Sequence, residues 1–91
     1  MPTEWLAFLN FVFVMEKKYD HPLLNDLVEI CIKKRLAEKQ SHEEFGKDAG
    51  VDKSYMQRFE KFKLNPGLIN ADNLARNAGK KLVLVDINHS V

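Results

Sequence analysis

The sequence predicts a mainly α fold, a helix-turn-helix bundle of four to five helices followed by a short C-terminal β-strand that pairs across a dimer. Three observations carry this. Residues 41–60, SHEEFGKDAGVDKSYMQRFE, read as two short helices around Gly50; residues 23–39 repeat apolar side chains at helical spacing; Leu82-Val83-Leu84-Val85 is a β-forming run with no partner strand in the core region.

The 91 residues make one domain, long enough to bury a core without metal or disulfide staples. Hydrophobic content of 45% beside 30% charged residues is ordinary for a folded protein and excludes disorder over most of the chain. The single cysteine, Cys31, cannot close an internal disulfide and sits among apolar residues, which points to a core thiol in a reduced, cytoplasmic setting. His21, His42 and His89 lie far apart and have no ligand spacing, so no metal is expected. Paired acids, a nucleophile beside a base and a phosphate loop are also missing, so an enzyme is not expected, nor a cofactor. The net charge of +1 says little about partners, but the clusters Lys33-Lys34-Arg35, Lys53 to Lys63 and Lys80-Lys81 leave room for one basic face.

Residues 1–21 read as an apolar extension and connector. Residues 5–15, WLAFLNFVFVM, are apolar nearly all round, too short to span a bilayer and preceded by Glu4 where a secretory signal would carry positive charge. Thr3 can cap a helix here, while Phe11-Val12-Phe13-Val14 equally suits a strand; the helix is favoured. Either way such a surface needs a cover, from the domain, a second subunit or a partner. The polar run 17–22 then ends in Pro22, which holds His21 away from helical geometry and suits the first turn of the next helix. In that helix Leu24, Leu27, Val28, Cys31, Ile32 and Leu36, with Ala37, form the apolar stripe.

Ser41 and Glu44 have the spacing of a capping box, so a helix starts at His42 and turns Phe45 and Ala49 inward. Gly50 tolerates the positive φ of a helix C-terminus, Val51 plugs the core and Asp52 caps the next helix. Met56 and Phe59 then point inward, and Lys53, Ser54, Gln57 and Arg58 are left facing out. Residues 61–67, KFKLNPG, form a turn. A last helix from about Leu68 to Ala78 buries Leu68, Ala71, Leu74 and Ala75 and stops at Gly79. Residues 22–79 thus form the helical domain, and residues 80–91 a tail. A lone strand at Leu82, Val83, Leu84 and Val85 is unstable unless it pairs, and the same strand of a second copy is the simplest partner, which makes the tail a dimerisation device.

The ordered series Ser41-His42-Glu43-Glu44-Phe45-Gly46, Ala49-Gly50-Val51, Ser54-Tyr55-Met56-Gln57-Arg58-Phe59-Glu60, Asn65-Pro66 and Leu74-Ala75-Arg76 resembles the phage-repressor (Cro-like, XRE-type) helix-turn-helix family over roughly residues 24–79. The tail from Gly79 to Asp86 resembles, more briefly, the C-terminal strand of HipB-like and HigA-like antitoxins. The first likeness implies a repressor-type bundle, with Gly46 where two helices approach and Arg35 paired to Glu60 between the first helix and the end of the recognition helix. It also implies DNA base contacts from Lys53, Ser54, Gln57 and Arg58. Contacts to the DNA backbone would come from Ser41, His42, Tyr55, Lys61, Lys63 and Asn65. The residues suit these roles, since Arg donates twice to guanine, Gln both donates to and accepts from adenine, and Lys reaches guanine acceptors. Tyr55 can approach a thymine methyl or a phosphate, or pack its ring on the domain. His42 stands where the family commonly has Gln, and it is either a phosphate donor or a plain surface residue. Phe62 stands where Gly is usual, so a left-handed turn would be strained there and the recognition helix is expected to run longer.

Together these readings imply a DNA-binding transcriptional repressor, homodimeric on a double-stranded operator, nucleoid-associated in the cytoplasm, with no membrane partner. Within that class the tail and the apolar leader favour an antitoxin that represses its own operon, with a toxin protein as partner. A phage or plasmid repressor without a toxin is the alternative, and an interaction module without DNA contact is the rival from another class.

Overall fold

The computed structural model describes residues 19–87; the apolar leader, with its helix-or-strand question, and residues 88–91 lie outside them. Four helices follow one another: α1 (Pro22–Ala37), α2 (His42–Ala49), α3 (Lys53–Glu60) and α4 (Leu68–Asn77). Among the described residues there is no strand, and no helix is long and apolar enough to cross a membrane.

The first three helices begin where their local chemistry directs. His21 is extended at φ −119°, and Pro22 occupies the first turn of α1. Ser41 and Glu44 close the reciprocal capping box of α2: the Glu44 amide donates to Ser41 Oγ at 3.1 Å and the Ser41 amide to Glu44 Oε1 at 2.8 Å. The Asp52 carboxylate accepts from the Tyr55 amide at 2.7 Å and starts α3.

The helix ends share one hydrogen-bond pattern, in which a residue with positive φ turns the chain and the next amide reaches back five residues. After α2 the Val51 amide donates to Gly46 O at 2.7 Å, and after α4 the Lys80 amide donates to Ala75 O at 2.9 Å. Glycine holds the left-handed position in these two, with Gly50 at φ 84° and Gly79 at φ 81°. At the ends of α1 and α3 that position falls to Lys39 at φ 57° and Phe62 at φ 61°. The expectation that Phe62 would prolong the recognition helix is therefore overturned: α3 stops at Glu60, and the Lys63 amide donates to Arg58 O at 2.9 Å. The cost of a left-handed Phe is offset by its ring, which is buried and meets Tyr19 edge-on with centroids 5.5 Å apart.

The core is built from Leu27, Val28 and Cys31 of α1, Phe45 and Ala49 of α2, Met56 and Phe59 of α3, and Ala71, Leu74 and Ala75 of α4, joined by Phe62 and Ala78. Val51 is half-buried against it. Three inward assignments fail: Leu36 and Leu68 are 60% and 79% exposed, and Ala37 is exposed as well. Each lies in the terminal turn of its helix. The strand expected at Leu82 to Val85 is likewise not formed in the single chain, where residues 81–87 have no regular structure. Backbone pairing needs a second strand, and the described residues supply none.

Tyr19, in the connector, ties the chain's entry to the bundle. Its amide donates to Asn25 Oδ1 and its carbonyl accepts from Asn25 Nδ2, both at 3.0 Å, while its hydroxyl oxygen accepts the Leu64 amide at 3.0 Å. Cys31 is wholly buried, with Sγ 3.6 Å from Leu74 O. Burial, with the Glu60 charge adding to it, pushes its thiol up to about 12.

Two predictions follow from these local costs. Lys39→Gly relieves a left-handed strain of about 1–2 kcal/mol against an unfolded-state penalty of about 0.4–1 kcal/mol, so urea denaturation should show a gain of about 0.5–1 kcal/mol. Phe62→Gly relieves the same strain but removes a buried ring, for a net loss of about 2–3 kcal/mol; the same sign in both variants would contradict this account. For Cys31, the unfolded thiol releases its proton near 9.0 and the folded one only near about 12. The native state binds more protons between these values, so stability should fall as pH rises through that window, and the native thiol should resist alkylation at pH 8, set by about the reference thiol range.

Candidate nucleic-acid interface

The α2–turn–α3 unit is held by a close approach at Gly46. A Cβ built there would lie 2.7 Å from Met56 Cγ and 2.8 Å from Val51 O, so α3 and the turn pack directly on the α2 backbone. The carbonyl of Phe45, at the same level, accepts from Asn77 Nδ2 at 3.1 Å, which fastens α2 to the end of α4.

The far end of α3 is fixed by charge. Arg35 reaches across from α1 with a two-pronged grip on Glu60, Nε to Oε2 at 2.7 Å and Nη2 to Oε1 at 2.9 Å, and its Nη1 donates to Gln40 O at 3.2 Å. His42, at the start of α2, places Nε2 3.2 Å from Glu60 Oε1. The Arg35 and Glu60 side chains are only 13% and 8% exposed, so three helices meet on one shielded carboxylate.

These commitments sort the residues read as DNA contacts. His42 is turned onto Glu60 through Nε2, so its ring serves the fold, and its backbone amide at the start of α2 is the part that remains for an anion. Tyr55 is half-buried against the core, and its hydroxyl oxygen accepts from Asn70 Nδ2 at 3.1 Å, which settles its ring on the domain and leaves its hydroxyl proton to donate. Ser41 Oγ is engaged as an acceptor in the capping box. By contrast, the side chains of Lys53, Ser54, Gln57 and Arg58 form no hydrogen bond or ion pair with the described residues, and neither do those of Lys61, Lys63 and Asn65. Lys53, Ser54, Arg58, Lys61, Lys63 and Asn65 are exposed and Gln57 half-buried. Glu43 and Glu44 share the first turn of α2 with the His42 amide, and Glu44 is folded back onto Ser41.

Sequence reasoning missed Tyr19, Asn70 and Asn77. Each works through a partner distant in the chain, and no local pattern marks an Asn that will meet a carbonyl 32 residues away. Among the described residues no group of His, Cys, Asp and Glu is placed to hold a metal ion.

The ion pair yields a test by thermal melts. Arg35→Ala leaves a shielded carboxylate and Glu60→Ala a shielded guanidinium, each costing about 3–5 kcal/mol, while the double variant Arg35→Met with Glu60→Leu should recover most of that loss. Wild-type stability in either single variant would refute a buried pair.

Comparison with protein-family models, with curated proteins and with solved structures found no match to this chain.

Proposed function

We propose that this chain is a sequence-specific DNA-binding transcriptional repressor acting as a homodimer. One observation carries the reading. On α3 and just beyond it, seven polar side chains have no partner among the described residues, while the polar groups around them, Ser41, His42, Asp52, Tyr55 and Glu60, are bonded within the fold. A helix held at both ends and presenting unspent donors suits the major groove. Lys53, Ser54, Gln57 and Arg58 are the base readers: Arg58 and Lys53 donate to guanine, Gln57 pairs with adenine and Ser54 suits either. Lys61, Lys63, Asn65, the Ser41 and Tyr55 hydroxyls and the His42 amide grip phosphates, which sets register.

Two copies then read half-sites about 34–36 Å apart. Within this class an antitoxin that represses its own operon fits the exposed apolar tail, where Val83, Leu84, Val85 and Ile87 stand in solvent and offer surface to a protein partner. Co-purification with a toxin encoded beside it would support that role, and a solitary gene among phage functions would favour the repressor without a toxin.

Gel shifts on the DNA upstream of its own gene test the main reading. Arg58→Ala and Gln57→Ala should each weaken specific binding by about 1–3 kcal/mol and relax sequence preference. Lys61→Ala and Lys63→Ala should weaken binding to all sequences and each lower the salt slope by about 1. Absence of any shift at low salt would leave an interaction module as the better description.

A further inference from the structure

The apolar surface that the described residues leave bare is gathered in one place. Five of their eight exposed large apolar side chains, Leu23, Leu68, Ile69, Val83 and Leu84, line a single trough. Its wider part, about 670 Å³, lies between the starts of α1 and α4 and the tail, with Lys81 at its margin. Its narrower part, about 340 Å³, continues past Leu23, Leu68 and Leu82 to His21 and Pro66. A contiguous apolar patch of this kind marks a surface that another piece of chain covers.

We infer that this trough is the seat of the chain's own leader, residues 5–15, docked within the same molecule. The chain enters beside it: Tyr19 is pinned by Asn25 and by the Leu64 amide, and His21, two residues on, already lines the narrow end. Met15 stands four residues before Tyr19, so the apolar run ends within about 14 Å of that anchor. The eleven residues of the run cover about 16 Å as a helix and up to about 36 Å when extended, which carries Trp5 toward the wide end.

The chemistry of the leader matches the trough. It holds Trp5, Phe8, Phe11 and Phe13 among aliphatic residues and a single polar side chain, Asn10, so it needs an apolar seat as the trough needs an apolar occupant. Charge agrees with the direction. Glu4 precedes the run and falls toward the wide end, where Lys81 forms no ion pair with the described residues and Asp72 is taken by Arg76. The tether also favours this occupant over a second molecule. It holds the leader at an effective concentration on the order of millimolar, about a hundredfold above a second copy at roughly ten micromolar. The docked leader covers Val83 and Leu84 and leaves Val85 and Ile87, which lie outside the trough, exposed. The inference concerns the free chain and rests on neither the DNA reading nor the toxin reading.

Trp5 is the only tryptophan in the chain, so its fluorescence follows the leader without a label. In the full-length wild-type protein its emission should be blue-shifted and shielded from iodide, and both properties should survive about a hundredfold dilution. Leu68→Glu and Ile69→Glu alter side chains that the described fold leaves exposed. Each should shift the emission to the red and admit iodide while circular dichroism shows unchanged helix content. Leu36→Glu, at an exposed leucine outside the trough, should do neither. Leu9→Glu leaves every described residue intact, and Leu9 shares a face with Trp5 in a helix and in a strand alike, so it should release Trp5 in the same way. Solvent-exposed Trp5 in the wild type, or shielding that the trough variants and Leu9→Glu leave unchanged, would overturn the inference. Shielding lost as sedimentation shows the chain becoming monomeric would place the leader on a second copy and overturn it equally. None of these readouts uses DNA, so a docked leader on a chain that shifts no DNA would sink only the repressor reading.

Discussion

The carboxylate of Glu60 is where this small bundle is locked. It closes α3, yet its partners come from α1 and α2: the two-pronged Arg35 and the Nε2 of His42. A shielded carboxylate is costly unless its oxygens are bonded; Arg35 of α1 bonds both, and His42 of α2 adds to one, so the end of α3 is tied to both of the other helices. Gly46 sets the other boundary, since the absence of a side chain lets the turn carbonyl and Met56 lie against the α2 backbone.

A similar coupling explains the two left-handed residues that are not glycine. Phe62 adopts an angle that L side chains rarely hold because doing so turns its ring into the core and against Tyr19, whose hydroxyl in turn holds the Leu64 amide. Local strain and long-range burial are a single arrangement there. Lys39 has no such return, being exposed, and its conformation follows from the need to end α1 before the Ser41 cap.

The surface divides by how its polar groups are employed. Around α3 the caps and the Glu60 cluster engage Ser41 Oγ as an acceptor, the Asp52 carboxylate and the His42 ring, and fix Tyr55 to Asn70, while the side chains of Lys53, Ser54, Gln57 and Arg58 have no polar partner among the described residues. At the opposite extreme the backbone of residues 81–87 makes no hydrogen bond among the described residues, and apart from half-buried Leu82 the apolar side chains of the tail are exposed. A donor row suits a polar partner and an unpaired apolar segment suits an apolar stretch of chain, so the two surfaces point to different kinds of contact on one molecule.

Local chemistry in the sequence determined the four helices, their caps at Ser41 and Asp52, the glycine ends at Gly50 and Gly79, and most of the core, because capping and periodicity act within a few residues. It also placed Lys53, Ser54 and Arg58 outward, with Gln57 half-buried beside them, since they lie off the stripe of Met56 and Phe59. Only the tertiary structure decided that Phe62 would end α3 rather than extend it, that Leu36 and Leu68 would stay exposed, and that His42 and Tyr55 would serve the fold through Glu60 and Asn70. Each of these depends on what a side chain meets from a distant part of the chain. A ring's burial can outweigh its own backbone preference, and a polar side chain takes the partner that folding brings within reach.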